Sequence, residues 1–82
     1  MTKYDFAKYV VNEEYDMANM IFNDCLEDGM TYGEWEEAVC KELELDKFSS
    51  SDEYDLNESI RNYIHIYIYE NKDYGSIEDF YN

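Results

Sequence analysis

From Thr2 to Cys25 the apolar residues recur at helical rather than alternating intervals. Thr2 and Asp5 can open a first helix whose inward face holds Phe6, Tyr9 and Val10. Asn12-Glu13-Glu14 either restarts that helix or carries it on, and Met17, Ala18, Ile21, Phe22 and Cys25 then form one stripe. Asp28-Gly29 supplies a stop. Thr31 and Glu34 stand in capping-box relation ahead of Trp35, Ala38, Val39 and Leu43, which predicts a further helix with Phe48 just beyond its end.

Ser49-Ser50-Ser51-Asp52 reads as a loop, and Asp55-Leu56-Asn57-Glu58 as a second cap leading to Ile60. The run Tyr63-Ile64-His65-Ile66-Tyr67-Ile68-Tyr69 has two readings. Its strict alternation is the signature of a strand. A strand needs a partner, however, and the only other alternating stretch, Glu42-Leu43-Glu44-Leu45, closes a good helix pattern. The favoured reading is a helix from Leu56 to about Glu70 that buries Leu56, Ile60, Tyr63, Ile64 and Tyr67. Tyr74-Gly75 would then turn the chain, and Ser76 with Asp79 would cap a last turn carrying Ile77 and Phe80. The expected fold is therefore mostly α: residues 1–82 as a single acidic domain, a small bundle of three to four helices with short loops. An α+β fold is the alternative if residues 63–69 form a strand.

Composition supports a packed domain. Of 82 residues, 45% are hydrophobic and 18% aromatic, with ten Tyr, four Phe and one Trp. That is enough apolar surface for one core and too short a chain for two. Asp and Glu number 21 against 6 Lys and Arg, a net charge of -15. Direct binding to nucleic acid or to an anionic membrane surface is excluded on charge, since both need a cationic face. No apolar run approaches the ~20 residues that span a bilayer. The start, Met1 to Asp5, has no apolar signal core, so the expected location is cytoplasmic.

Chemistry at a catalytic centre finds little footing. His65 is the only histidine, and Cys25 and Cys40 the only cysteines. Zinc would lack ligands, and reduced thiols in a cytoplasmic chain read as small buried hydrophobes. Asp52-Glu53-x-Asp55-x-Asn57-Glu58 lacks the glycine and spacing of a calcium loop. No nucleophile has a base or metal to activate it, so the chain is read as a non-enzyme without a cofactor.

The acids are spread along the whole chain. Cutting after Asp28 and after Phe48 gives net charges of -5, -4 and -6. Fifteen charges are what roughly 25 Å of duplex DNA carries, at one per ~1.7 Å. Glu13, Asp16, Asp24 and Glu27 fall along one outward stripe, with Asp28 nearby. Glu34 and Glu37 mark another, with Glu36 beside them, and Asp52, Glu53, Asp55 and Glu58 follow the Ser-rich loop. Like charges at three- and four-residue spacing cost stability, which suggests a cationic partner surface that these twelve residues contact. Ten tyrosines exceed what the core can take, so some should lie exposed, where ring and hydroxyl suit an interface.

In size, charge, Tyr/Asp/Glu richness and helicity the whole chain resembles the small acidic anti-defence proteins of phages and mobile elements. These are the DNA-mimicking anti-CRISPR proteins and the antirestriction inhibitors, and Asp24-x-x-Glu27-Asp28 and Glu34-x-Glu36-Glu37 illustrate the likeness. The resemblance implies an inhibitor seated in the cationic DNA-binding groove of a host nuclease, either a CRISPR effector of the Cas9 type or a restriction enzyme. Carboxylates would stand in for phosphates against Arg and Lys. A bacteriocin-immunity-like inhibitor is the nearest rival. The Asp-x-Ile-Tyr-Tyr-Pro motif of colicin immunity proteins is missing, because Pro is absent, and Ile66-Tyr67-Ile68-Tyr69 matches only part of its centre. A regulator that oligomerises through its tyrosines is the third reading, and the oligomeric state is left open.

Overall fold

In the computed structural model, which describes residues 1–70, the longest element is α5, Ser51–Glu70. Its twenty residues, at 1.5 Å each, run ~30 Å along a body of 36 × 24 × 18 Å. Ahead of it come α1 (Lys3–Val11), α2 (Tyr15–Ala18), α3 (Met20–Cys25) and α4 (Tyr32–Glu42). α4 packs along α5, α3 lies on α4, and α1 rests on α2 and α5. Since α2 and α3 are two pieces of one interrupted segment, the architecture is a four-helix arrangement, and no strand occurs among the described residues.

Residues 63–69 are thus helical, and the strand alternative is corrected. Ile60, Ile64 and Ile68, each four residues from the next, are buried against the other helices, whereas Ile66 is 54% exposed. A strand would have put Ile64, Ile66 and Ile68 on one face and left its backbone without a ladder. α5 also begins five residues earlier than expected. The Ser50 hydroxyl accepts the Glu53 N–H at 3.2 Å, so Ser50 and not Asp55 starts the helix, and Ser51 and Asp52 belong to it. The turn and cap expected at Tyr74-Gly75 and Ser76 to Asp79 lie outside the described residues.

Both predicted capping boxes are present. Thr2 with Asp5 opens α1, and Thr31 with Glu34 opens α4, side chain and backbone bonded reciprocally in each. The helix ends follow one rule as well. After α1 the Glu13 N–H donates to Val10 O at 3.1 Å and the Glu14 N–H to Tyr9 O at 2.8 Å. After α4 the Glu44 N–H donates to Lys41 O at 3.0 Å and the Leu45 N–H to Cys40 O at 3.1 Å. Each is a Schellman motif, with Glu13 (φ 60) and Glu44 (φ 55) in the left-handed position that glycine usually fills.

The predicted continuous stripe from Met17 to Cys25 is broken at Asn19. There the Phe22 N–H reaches back only three residues, to Asn19 O at 3.1 Å, and the Tyr63 hydroxyl donates to Asn19 Oδ1 at 2.9 Å. The break leaves Ala18, Ile21 and Phe22 inside and Met17, 45% exposed, outside. Phe48 is exposed too, its ring edge-on to Tyr54 at 5.1 Å. Gly29 (φ 81) takes the third place of a turn closed by the Met30 N–H on Glu27 O at 3.2 Å; this is a type II turn, which demands a positive φ there.

The core is aromatic. Phe6, Phe22 and Trp35 are fully buried; Phe22 stacks on Tyr67 at 3.8 Å between ring centres and meets Trp35 edge-on at 6.1 Å. A helix as short as α3 leaves its last four carbonyls without an intrahelical donor. The Trp35 indole N–H fills that lack at Phe22 O, 2.8 Å away.

Candidate interaction surface

Folding turns the acidic residues outward. Every Asp and Glu among residues 1–70 is exposed except Glu36 and Glu53, which are half-buried. Of the five cations there, Lys8 and Lys41 are exposed as well, and the other three are treated differently. Lys3 is buried, Lys47 is held by Glu44 at 3.1 Å, and Arg61 is half-buried beside Glu37, Lys41 and Asp46. The Glu44 carboxylate raises the Lys47 ammonium above its ordinary range, by hydrogen bond first and charge second.

The twelve carboxylates singled out from the sequence fall into two groups. Three of them hold the fold. Glu34 caps α4, where hydrogen bonds from Thr31 lower its carboxyl below the ordinary value. Glu36 on α4 faces His65 Nδ1 on α5 at 3.0 Å, and the His65 ring stacks on Tyr69 at 4.0 Å. Glu53 is the hub of a polar clasp at one end of the molecule. Its Oε1 takes the Lys3 ammonium at 2.7 Å and the Tyr4 hydroxyl at 3.0 Å, and its Oε2 takes the Ser49 N–H and hydroxyl. Lys3 and the Asn57 amide both donate to Lys47 O, at 2.6 and 3.1 Å, so α1, the loop before α5 and α5 itself are tied together. These bonds, that of Lys3 foremost, hold the Glu53 carboxyl down at about 2. The same carboxylate raises the Tyr4 hydroxyl.

The other nine stand on the exterior in separate places. Glu13 and Asp16 line a shallow depression with Glu14, Tyr15 and Met17. Asp24 meets Glu42 of α4 around Met1, Ile21 and Cys25. Glu27 and Asp28 occupy the type II turn, and Glu37 lies over Cys40. Asp52, Asp55 and Glu58 follow one another at three-residue steps on exposed positions of α5. The surface is thus acidic on several sides, and the single stripe expected for Glu13, Asp16, Asp24 and Glu27 is interrupted by the break at Asn19.

Aromatic and thioether groups accompany the acids. Tyr4, Tyr15 and Tyr54 are exposed, as are Met17, Met20 and Val11. Tyr15 sits between Glu14 and Asp16, and Tyr54 between Glu53 and Asp55. Sequence reasoning named none of these rings as surface residues individually, although their acidic neighbours were the available signal. Cys25 and Cys40 are free thiols that burial pushes up, which makes them poor nucleophiles. Among the described residues, no group of three or more His, Cys, Asp and Glu is placed to hold a metal ion, and no helix is long and apolar enough to cross a membrane. The chain matches no family model, no curated protein and no solved structure.

Proposed function

We propose that the protein is an inhibitor that occupies the cationic DNA-binding groove of a host defence nuclease, a CRISPR effector or a restriction enzyme, inside the bacterial cytoplasm. The observation that carries this reading is the charge: a net -15 over the chain, with the acids of residues 1–70 facing outward, Lys3 buried against Glu53 and Lys47 held by Glu44, so that the exposed Lys8 and Lys41 are far outnumbered. Along the 36 Å axis this is about one net charge per 2–3 Å, within a factor of two of duplex DNA. Carboxylates on helices replace phosphates, Arg and Lys of the groove pair with them bidentately or singly, and the field speeds encounter.

The test is displacement of labelled duplex DNA from purified Cas9-type and restriction nucleases at rising salt. Displacement that weakens steeply with salt, and about ten-fold or more when Glu37, Asp52, Asp55 and Glu58 are changed together to Gln, Asn, Asn and Gln, supports the proposal. Those four sites avoid the capping and clasp carboxylates, so circular dichroism should be unchanged. Nuclease binding indifferent to salt and to the four changes would overturn it, and so would sedimentation as a stable homo-oligomer whose assembly hides these carboxylates.

A further inference from the structure

α1 lies against α5, with Lys3 meeting Glu53 and Phe6 meeting Tyr63. Between them lies a groove that the core does not fill. Phe6, Val10 and Val11 form one wall and Leu56, Ile60 and Tyr63 the other, so the surface it offers is almost wholly apolar. Its volume is about 150 Å³. A dry cavity of ~150 Å³ lined by such side chains holds one benzene-sized ring. Val11 at its edge is 80% exposed, the highest value for a large apolar side chain among the described residues.

Charge surrounds this groove at both ends. Two residues beyond Val11 the chain turns through Glu13 and Glu14 into Tyr15 and Asp16, which line a depression of their own. On α5, Asp52 stands one helical turn before Leu56, and Asp55 one turn before Ser59. Lys8, exposed and one turn before Val11, is a cation beside the groove, and Glu13, Glu14, Asp16, Asp52 and Asp55 outnumber it. An apolar slot between acidic ends is complementary to a basic segment that projects one large apolar side chain between Arg or Lys residues. It is unsuited to DNA, to an anionic lipid surface or to a second copy of this acidic chain, each of which would bring like charge to the rim.

We infer that the α1/α5 groove takes an anchoring Phe- or Leu-sized side chain from a cationic protein segment, while the carboxylates at its ends engage the flanking Arg and Lys. This rests on the reading of the molecule as a binder of a cationic protein surface, and it adds the anchor that gives such a charged contact its register. Coulombic attraction between many exposed charges fixes orientation poorly, whereas one desolvated ring in a fitted slot fixes it well.

The test uses the full chain and two synthetic helical peptides of equal positive charge. One carries a central Phe flanked by Arg three and four residues away; the other carries Ser in place of Phe. The groove predicts that the Phe peptide binds about ten-fold more tightly by fluorescence anisotropy, with amide shifts concentrated on α1 and the first half of α5. Ser59→Phe, which adds a ring to the groove wall without changing charge, should reduce that preference to less than about two-fold while circular dichroism stays unchanged. Val11→Asp, at an exposed position, should lower it as well should Ser59→Phe fail to fold. Equal binding of the two peptides to the wild type overturns the inference, as does a Phe preference that survives both variants. Displacement of DNA from a nuclease reads the broader proposal separately. A wild type that displaces DNA yet treats both peptides alike refutes the anchor alone, and one that prefers the Phe peptide yet never displaces DNA supports the anchor and refutes the mimic.

Discussion

Trp35→Phe is the substitution whose cost can be worked most directly. The indole of Trp35 is fully buried and donates to Phe22 O at 2.8 Å, at the end of a helix only six residues long. Phenylalanine keeps an aromatic ring but has no donor. The Phe22 carbonyl then loses its side-chain partner in a fully buried place, which costs about 1–3 kcal/mol. The missing ring atoms and the space they leave add roughly 1–2 kcal/mol. The sum, about 2–5 kcal/mol, is a large share of the ~4–12 kcal/mol that a chain of 82 residues has in total. At about 4–8 °C per kcal/mol, the melting temperature should fall by at least ~8 °C. Urea titration followed by far-ultraviolet circular dichroism measures the loss, with Met17→Ala, at an exposed position, as a control expected to stay within about 0.5 kcal/mol. A loss below about 1 kcal/mol in Trp35→Phe would mean that the indole neither caps α3 nor fills the core.

Three further outcomes are expected. Ile64→Ala should cost about 2–5 kcal/mol and Ile66→Ala no more than about 0.5 kcal/mol by the same titration; comparable costs would restore the strand reading, which puts both on one face. For Glu53 the folded pKa of about 2 lies below the ordinary 4.5, so its contribution is fully present above pH 4.5 and is lost as pH falls toward 2. Glu53→Gln should therefore be less stable than the wild type at pH 7, with urea midpoints converging between pH 4.5 and 2; a gap that persists at pH 2 would assign the loss to packing. Glu13→Gly should raise stability by about 0.5–1 kcal/mol, since glycine takes the left-handed φ of 60 without the Cβ penalty; an unchanged or lowered melting temperature would contradict the geometry at that turn.

How far the sequence discloses this fold depends on whether the signal is local. Thr2 with Asp5 and Thr31 with Glu34 lie three residues apart and mark α1 and α4 directly, and Phe6, Trp35 and Val39 follow as core by periodicity. Residues 63–69 admit two readings because seven residues satisfy two periods, and the favoured helix is the one observed. The wider series Leu56, Ile60, Ile64, Ile68 has a constant step of four and settles it. Ser50 with Glu53 is also a capping spacing, and in the sequence it competes with a similar one at Asp55. The ends of α1 and α4 carry Glu where a stop usually shows Gly, and Asn19 breaks a stripe through a bond from Tyr63, far away in the chain. For the acidic surface, outward placement was legible from residue type alone. The internal work of Glu53 and Glu36 was not, because their partners Lys3 and His65 are distant in sequence and lysine is rarely buried.

The separation of the carboxylates into two groups bears on what the charge is for. Asp5, Glu34 and Glu53 stand in the first turn of a helix, where the exposed N–H groups and the helix dipole favour an anion. Glu44 sits in a left-handed turn but recovers something from Lys47. These residues have a reason to be acidic that refers only to the fold. Glu13 has none of these. It occupies a backbone conformation that disfavours any side chain, no hydrogen bond or ion pair engages its carboxylate among the described residues, and it stands next to Glu14 and near Asp16, which repel it. Glycine would suit the turn and relieve the repulsion at once. Asp55 and Glu58 repeat the argument in milder form, as like charges at a three-residue step on an exposed helix, whereas Asp52 shares the first turn of α5 with Glu53 and so has a reason of its own. An explanation from solubility would distribute acids wherever they cost least. Their presence at sites where they cost stability is what the proposed cationic partner surface requires, and Glu13 is the carboxylate at which the two explanations differ most.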